Sequence, residues 1–242
     1  MQRRLSSILI LVVASACAEA ACVDPATIPH STVSITRYFD SGERAPPGVT
    51  GIGATGWFLS PTSIVTVGHV AAAMKLSDRT WKTIEIREGD NTQSIPARIQ
   101  RLAGSNAEKI AVVELQTAFS GAETLRLRME PLLPEEPVVS LAYPGGRLRV
   151  VGGRFVQYGG GGRLAGTALL EMYDGNDRLA LDHGSSGAPI LDCAGRVAAV
   201  VSNLFMTSME FASRTIRIPT PWGSPNVVSV PVPVLEQLFV SD

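Results

Sequence analysis

The chain has 242 residues, enough for one domain or two small ones, and its 45% hydrophobic and 18% charged content is that of an ordinary globular protein. Lys and Arg total 21 against 22 Asp and Glu, so the formal net charge of −1 offers no attraction for nucleic acid or an anionic membrane surface. The 23 glycines and 16 prolines predict many turns and therefore many short strands.

At the N-terminus, Arg3 and Arg4 precede a largely apolar run from Leu5 to Ala16, and Ala18-Glu19-Ala20 supplies small residues for cleavage. This is the pattern of a secretory signal peptide over 1–20, and no other stretch is long enough to cross a bilayer. A competing reading places a lipid on Cys17, but Ala14 stands where such signals favour leucine. Cleavage after Ala20 leaves two cysteines, Cys22 and Cys193, which an oxidising compartment allows to pair. The alternative is two unpaired thiols. The three cysteines lack metal-ligand spacing, and no metal or cofactor is implied.

Residues 21–30 form a proline-containing linker. Strand-like runs then follow at Thr32–Phe39, Thr55–Leu59, Ile64–Val67, Thr83–Arg87, Ser94–Leu102 and Ile110–Leu115. They are short, rich in β-branched residues and bounded by turn formers. Val70-Ala71-Ala72-Ala73-Met74, just after His69, favours a single helical turn. The pattern breaks where Pro131, Pro134 and Pro137 accompany Glu130, Glu135 and Glu136, which puts a linker at 125–137 between domains at 31–124 and 138–242.

A second series of strands runs at Val138–Tyr143, Arg147–Tyr158, Gly166–Tyr173, Gly187–Leu191, Arg196–Asn203 and Val227–Val230. Val234 to Val240 is expected to form the only sizeable helix, with Pro233 at its first turn. Gly159-Gly160-Gly161-Gly162 lacks the Lys-Ser/Thr of a phosphate loop and reads as a hairpin tip. Asp174-Gly175-Asn176-Asp177 lacks the remaining ligands of a calcium loop and reads as a turn. Regular short strands without a helical period indicate an all-β barrel or sandwich.

Two segments carry chemistry. Gly184-Ser185-Ser186-Gly187-Ala188-Pro189 holds a serine on a tight turn that exposes Oγ and leaves backbone N–H groups to converge. Gly53-Ala54-Thr55-Gly56-Trp57-Phe58 is followed by Thr66-Val67-Gly68-His69. Together with Ile110-Ala111-Val112-Val113-Glu114-Leu115 and Leu141-Ala142-Tyr143-Pro144-Gly145-Gly146, in this order, they resemble the trypsin-like serine proteases of the chymotrypsin fold.

The resemblance runs from about residue 50 to the end. It implies an all-β protein of two antiparallel six-stranded β-barrels with a short C-terminal helix, acting as a monomer on protein or peptide substrates after secretion or in a periplasm. It also implies roles for single residues. His69 is the general base and Ser186 the nucleophile. The N–H groups of Gly184 and Ser186 form the oxyanion hole. Ala180 is the base of the side-chain pocket, and Ser202 and Leu204 lie on the strand that substrate follows. With no charge at these positions, a basic preference in that pocket is not supported. Ser185 stands where zymogen-type relatives carry Asp, which argues against activation by insertion of a new N-terminus.

The departure is Lys109, which precedes Ile110 where the family has the triad Asp. A lysine cannot fix the imidazole tautomer or stabilise the imidazolium. Glu108, one residue earlier, is the first candidate for the acidic member, and Asp90 the second. The remaining alternative is a Ser–His dyad, or a catalytically impaired pseudoprotease that binds peptides.

Overall fold

A computed structural model of the chain describes residues 31–104, 109–173, 181–204, 206–211, 214–219 and 224–234. Six strands close the first barrel in the order β1-β2-β3-β6-β5-β4. They are β1 (Thr32–Tyr38), β2 (Gly51–Ser60), β3 (Ser63–Val67), β4 (Lys82–Glu88), β5 (Asn91–Ala103) and β6 (Ile110–Leu115). Six more close the second: β7 (Pro137–Ala142), β8 (Arg149–Tyr158), β9 (Ala168–Tyr173), β10 (Pro189–Leu191), β11 (Val197–Leu204) and β14 (Val227–Pro231), in the order β10-β11-β14-β9-β8-β7. All neighbouring pairs within both barrels are antiparallel. Closure removes the free sheet edges that short strands would otherwise expose.

Successive side chains of a strand point to opposite faces, and this sets the register. In β1, Val33 and Ile35 point into the first barrel beside Ile84 and Ile86 of β4, and all four are buried. Ser34 and Thr36 face the other way, opposite Arg87 and Glu85. One apolar cluster fills the first barrel and continues without a break into Leu191, Val197, Val200 and Val230 of the second. A separate cluster fills the far side of the second barrel around Phe155, Leu170 and Met172. The two barrels therefore meet across a dry seam. The connection between β6 and β7 runs beside β11, with Arg128 N–H donating to the Val197 carbonyl at 2.8 Å.

Two expectations need adjustment. The region between Leu204 and Val227 was read without strands, yet β12 (Met206–Phe211) and β13 (Arg214–Pro219) form a two-stranded hairpin of their own. A C-terminal helix over 234–240 is not shown: Pro233 and Val234 begin a helical turn, and the remainder lies outside the described residues. The signal peptide, the 21–30 linker, Cys22 and the Asp174–Asp177 turn also lie outside them. Gly162–Leu164 makes a 3-10 turn in the connection between β8 and β9, as a hairpin tip should. Among the described residues no helix is long and apolar enough to cross a membrane.

Candidate active site

The serine turn sits just before β10 and is tied down residue by residue. Ser185 N–H donates to the Asp182 carbonyl at 2.9 Å, and Asp182 N–H donates to Ser185 Oγ at 3.1 Å. Ser185 is buried, so this residue is a structural brace of the turn. Ala188 N–H donates to Ser185 O at 3.0 Å, and Gly187 N–H to Val201 O of β11 at 2.8 Å. Between these fixed points Ser186 is half-buried, and its Oγ donates to the Ser202 carbonyl at 3.1 Å.

Two glycines make the turn possible. Gly184 has φ +100°, a conformation that a side chain disfavours. Gly187 has φ +92°, and a methyl there would collide with the Thr55 carbonyl and the Thr66 hydroxyl. The N–H groups of Gly184 and Ser186 have no acceptor among the described residues. An N–H group without an acceptor can donate to a developing negative charge without first breaking a bond.

The first barrel grips this turn through one threonine. Thr55 of β2 is fully buried. Its N–H donates to Ser186 O at 3.1 Å, and its Oγ1 donates to Gly184 O at 2.7 Å. The same Oγ1 accepts from Tyr143 N–H at 2.9 Å, and Thr55 O accepts from Thr66 Oγ1 at 2.9 Å. Thr55 thus bonds to the residues on both sides of Ser185 and to the strand that leads to His69. Reading the residues in order missed it. The available signal was a lone hydroxyl in Gly53-Ala54-Thr55-Gly56, flanked by positions with little or no side chain.

His69 opens the short helix α1 (Gly68–Ala73), directly after β3. It is exposed and has a partner. The strand end that carries it abuts the serine turn, because Thr66, three residues earlier, reaches Thr55 and packs on Gly187. On the other flank, β3 pairs with β6 in a register that sets Val67 opposite Ile110. Gly68 N–H then donates to Lys109 O at 2.7 Å. A Cβ on Gly68 would lie 2.9 Å from that of Lys109, whose side chain is exposed.

Of the remaining candidates, Ser202 is buried, and its carbonyl receives the Ser186 hydroxyl. Leu204 is half-buried on the same strand. Both line a cleft of about 360 Å³ together with Ser186, Asp182, His183 and Asn203. Ala180 and Glu108 lie outside the described residues. Asp90 is exposed in the turn between β4 and β5, not on the β3–β6 edge that carries His69. His183 is exposed on the cleft wall, and its carbonyl accepts from Gly145 N–H at 3.4 Å. Among the described residues no group of His, Cys, Asp and Glu could hold a metal ion.

A second cavity of about 390 Å³ begins where the first ends. Its walls include His183 and Gly184 from the serine turn, and Tyr143, Glu85 and Arg87. Burial raises the pKa of the Tyr143 phenol above its ordinary value, and a hydrogen bond with the Gly89 backbone works against that rise.

Paired closed barrels, with a serine turn from one clamped by the other, define a chymotrypsin-like fold. The trypsin-like peptidase domain family matches residues 54–200, well over half of the chain, and the chain belongs to that family. It is a serine protease of the hydrolase class, acting on protein or peptide substrates.

Solved structures agree on the fold. The active form of the Rv3671c protease from M. tuberculosis is 16% identical, with a TM-score of 0.58, covering 98% of this chain and 92% of that one. Its inactive form is 18% identical with a TM-score of 0.58, covering 92% and 98%. Deg5 is 15% identical with a TM-score of 0.58, covering 87% of each chain. No curated protein sequence matches.

Proposed function

We propose that the protein is a secreted or periplasmic serine endopeptidase that works through an acyl-enzyme on Ser186, with His69 as general base. The observation that carries this reading is the pair of N–H groups at Gly184 and Ser186, left without acceptors on a turn that Thr55 holds from the other barrel. Ser186 Oγ attacks the scissile carbonyl while His69 takes its proton. The two N–H groups hold the oxyanion, and His69 returns the proton to the leaving amine. Water then repeats the sequence and releases the acid. Substrate lies along Ser202 and Leu204, with Ala180 at the base of the side-chain pocket.

Glu108 fills the acidic role. Lys109 stands directly before Ile110, where the family has its triad Asp, so the residue before it is the first alternative source of the carboxylate. The Lys109 side chain is exposed and a lysine cannot hold the imidazole, so this reading passes the role to Glu108, one residue earlier in the sequence.

The signal peptide at 1–20 carries export, and Cys22 pairs with Cys193 once the chain reaches an oxidising compartment. Such a bridge stabilises by about 2–4 kcal/mol. Non-reducing peptide mapping of exported protein should recover Cys22 and Cys193 in one linked fragment, and two alkylatable thiols would refute the pairing. The mature protein is a monomer and needs no N-terminal insertion to become active.

The deciding experiment is a fluorophosphonate probe applied to the purified mature protein. Label should appear on Ser186 and vanish in Ser186→Ala with the fold intact. Label on another serine, or none on folded protein, overturns the acyl-enzyme reading.

A further inference from the structure

The cavity on the far side of Gly184 contains a carboxylate that nothing else uses. Its floor is the outer face of β1 and β4, where Thr36 faces Glu85 and Ser34 faces Arg87 across the strand pair. Gly53 of β2, opposite Thr36, adds no side chain and keeps the floor open. The two charges differ in what they do. The Arg87 guanidinium donates to the carbonyl oxygen of Gly146 and closes one wall. The Glu85 side chain is half-buried and makes no hydrogen bond or ion pair among the described residues. A carboxylate partly removed from water, beside hydroxyls, and with the neighbouring guanidinium turned to the Gly146 carbonyl, is a site for a cation to fill.

The position of the cavity says which part of a substrate reaches it. With the scissile carbonyl oxygen between the N–H groups of Gly184 and Ser186, the acyl side occupies the cleft along Ser202–Leu204. The two cavities share only His183, and Gly184 lies on the wall of the second. The chain beyond the cut bond leaves the oxyanion hole on that second side.

We infer that this cavity is a leaving-group subsite in which Glu85 selects substrates with a Lys or Arg within two residues after the cut bond. The inference rests on the acyl-enzyme reading given above and assigns that site a substrate class. The protease then reads basic character beyond the bond it breaks.

Acyl transfer tests this side alone. An acetyl-alanine p-nitrophenyl ester acylates Ser186 and releases p-nitrophenol. An added dipeptide amide then competes with water. Its amine nitrogen attacks the acyl carbonyl carbon, a C–N bond forms, and the bond to Ser186 Oγ breaks. The amine proton passes through His69 to that oxygen. The nucleophiles are Lys-Gly-amide and Gly-Lys-amide, with their norleucine and glutamate counterparts. The ratio of amide to acid product is measured at low salt.

The better lysine nucleophile should exceed its norleucine counterpart about fivefold, or about 1 kcal/mol, the upper range for a partly solvated ion pair. Glu85→Gln should erase that advantage, and Glu85→Lys should transfer it to the glutamate amide. Equal partition for lysine and norleucine while p-nitrophenol is released, or a glutamate preference in the wild type, overturns the subsite assignment and leaves the acyl-enzyme reading standing. Absence of p-nitrophenol release from folded protein overturns the acyl-enzyme reading and this inference with it.

Discussion

The two halves of the site are held in different ways. The serine turn is bonded from both barrels: Val201 and Ser202 support it from β11, and Thr55 supports it from β2 through N–H and hydroxyl alike. The histidine end is held by strand pairing within the first barrel, where β3 meets β6 and Gly68 meets Lys109. A donor pair aimed at an oxyanion tolerates little displacement, since misplacement by about 1 Å can cost about 100-fold. It is therefore built where two rigid bodies constrain each other. The support of the imidazole needs a carboxylate on the right face of one strand edge, and that edge offers neighbouring positions. The family pattern can change at residue 109 and leave the serine turn untouched.

The sharpest way to test this contrast is to remove each element in turn. Ser186→Ala takes away the nucleophile, and ester turnover should fall by about 10⁶-fold, as loss of a triad serine does elsewhere. Next in size is the acidic member. Glu108→Gln should lower kcat by about 10⁴-fold, about 5.5 kcal/mol of barrier, and Lys109→Asp should change it little. The reverse result, a fast Lys109→Asp on a slow wild type, would move the carboxylate back to the family position.

Thr55→Val probes the cross-barrel clamp. It removes the bond to Gly184 O and leaves Tyr143 N–H without its acceptor, a buried loss of about 1–3 kcal/mol. Turnover should fall by about 100-fold. Thr55→Ser, which keeps the hydroxyl, should recover most of both. A Thr55→Val variant with wild-type turnover and melting temperature would mean that the turn holds itself.

The smallest effect lies at the end of the first barrel, away from the chemistry. There the buried Arg37 meets Glu43 and Asp40, and Lys82 meets the same two carboxylates. The Glu43 pKa is lowered from 4.5 to about 2, first by the Asp40 backbone N–H, then by Arg37 and Lys82. A depressed carboxylate stabilises the fold above its unfolded pKa, and that contribution is lost as pH falls from about 4.5 towards about 2. The gap in urea midpoint between wild type and Glu43→Gln should be open at pH 6 and close by about pH 2. A gap that persists there would assign the effect to packing.

Much of this molecule is legible in the sequence because its signals are local. Short β-branched runs with turn formers between them yield the strands of both barrels, and Gly184–Pro189 announces the serine turn. What escapes is non-local. Thr55 acts only after the barrels dock, so nothing beside it in the chain shows its bonds. Lys109 is the other departure, because a lysine stands where the family has its Asp and chain order alone pairs no carboxylate with His69. The β12–β13 hairpin escapes for a plainer reason. The sequence between its strands, Ala212-Ser213, contains none of the Gly, Pro, Asn or Asp residues that bound the other strands.

The bonds of Thr55 have a further consequence, for assembly. The N–H donors at Gly184 and Ser186 belong to the second barrel, but the residue that fixes their carbonyl neighbours belongs to the first. Neither half by itself supplies all the bonds that hold the serine turn. If the chain were made as two fragments, divided in the connection between β6 and β7, acylation of Ser186 would begin only on their reunion. The rate of ester turnover would then count docked pairs.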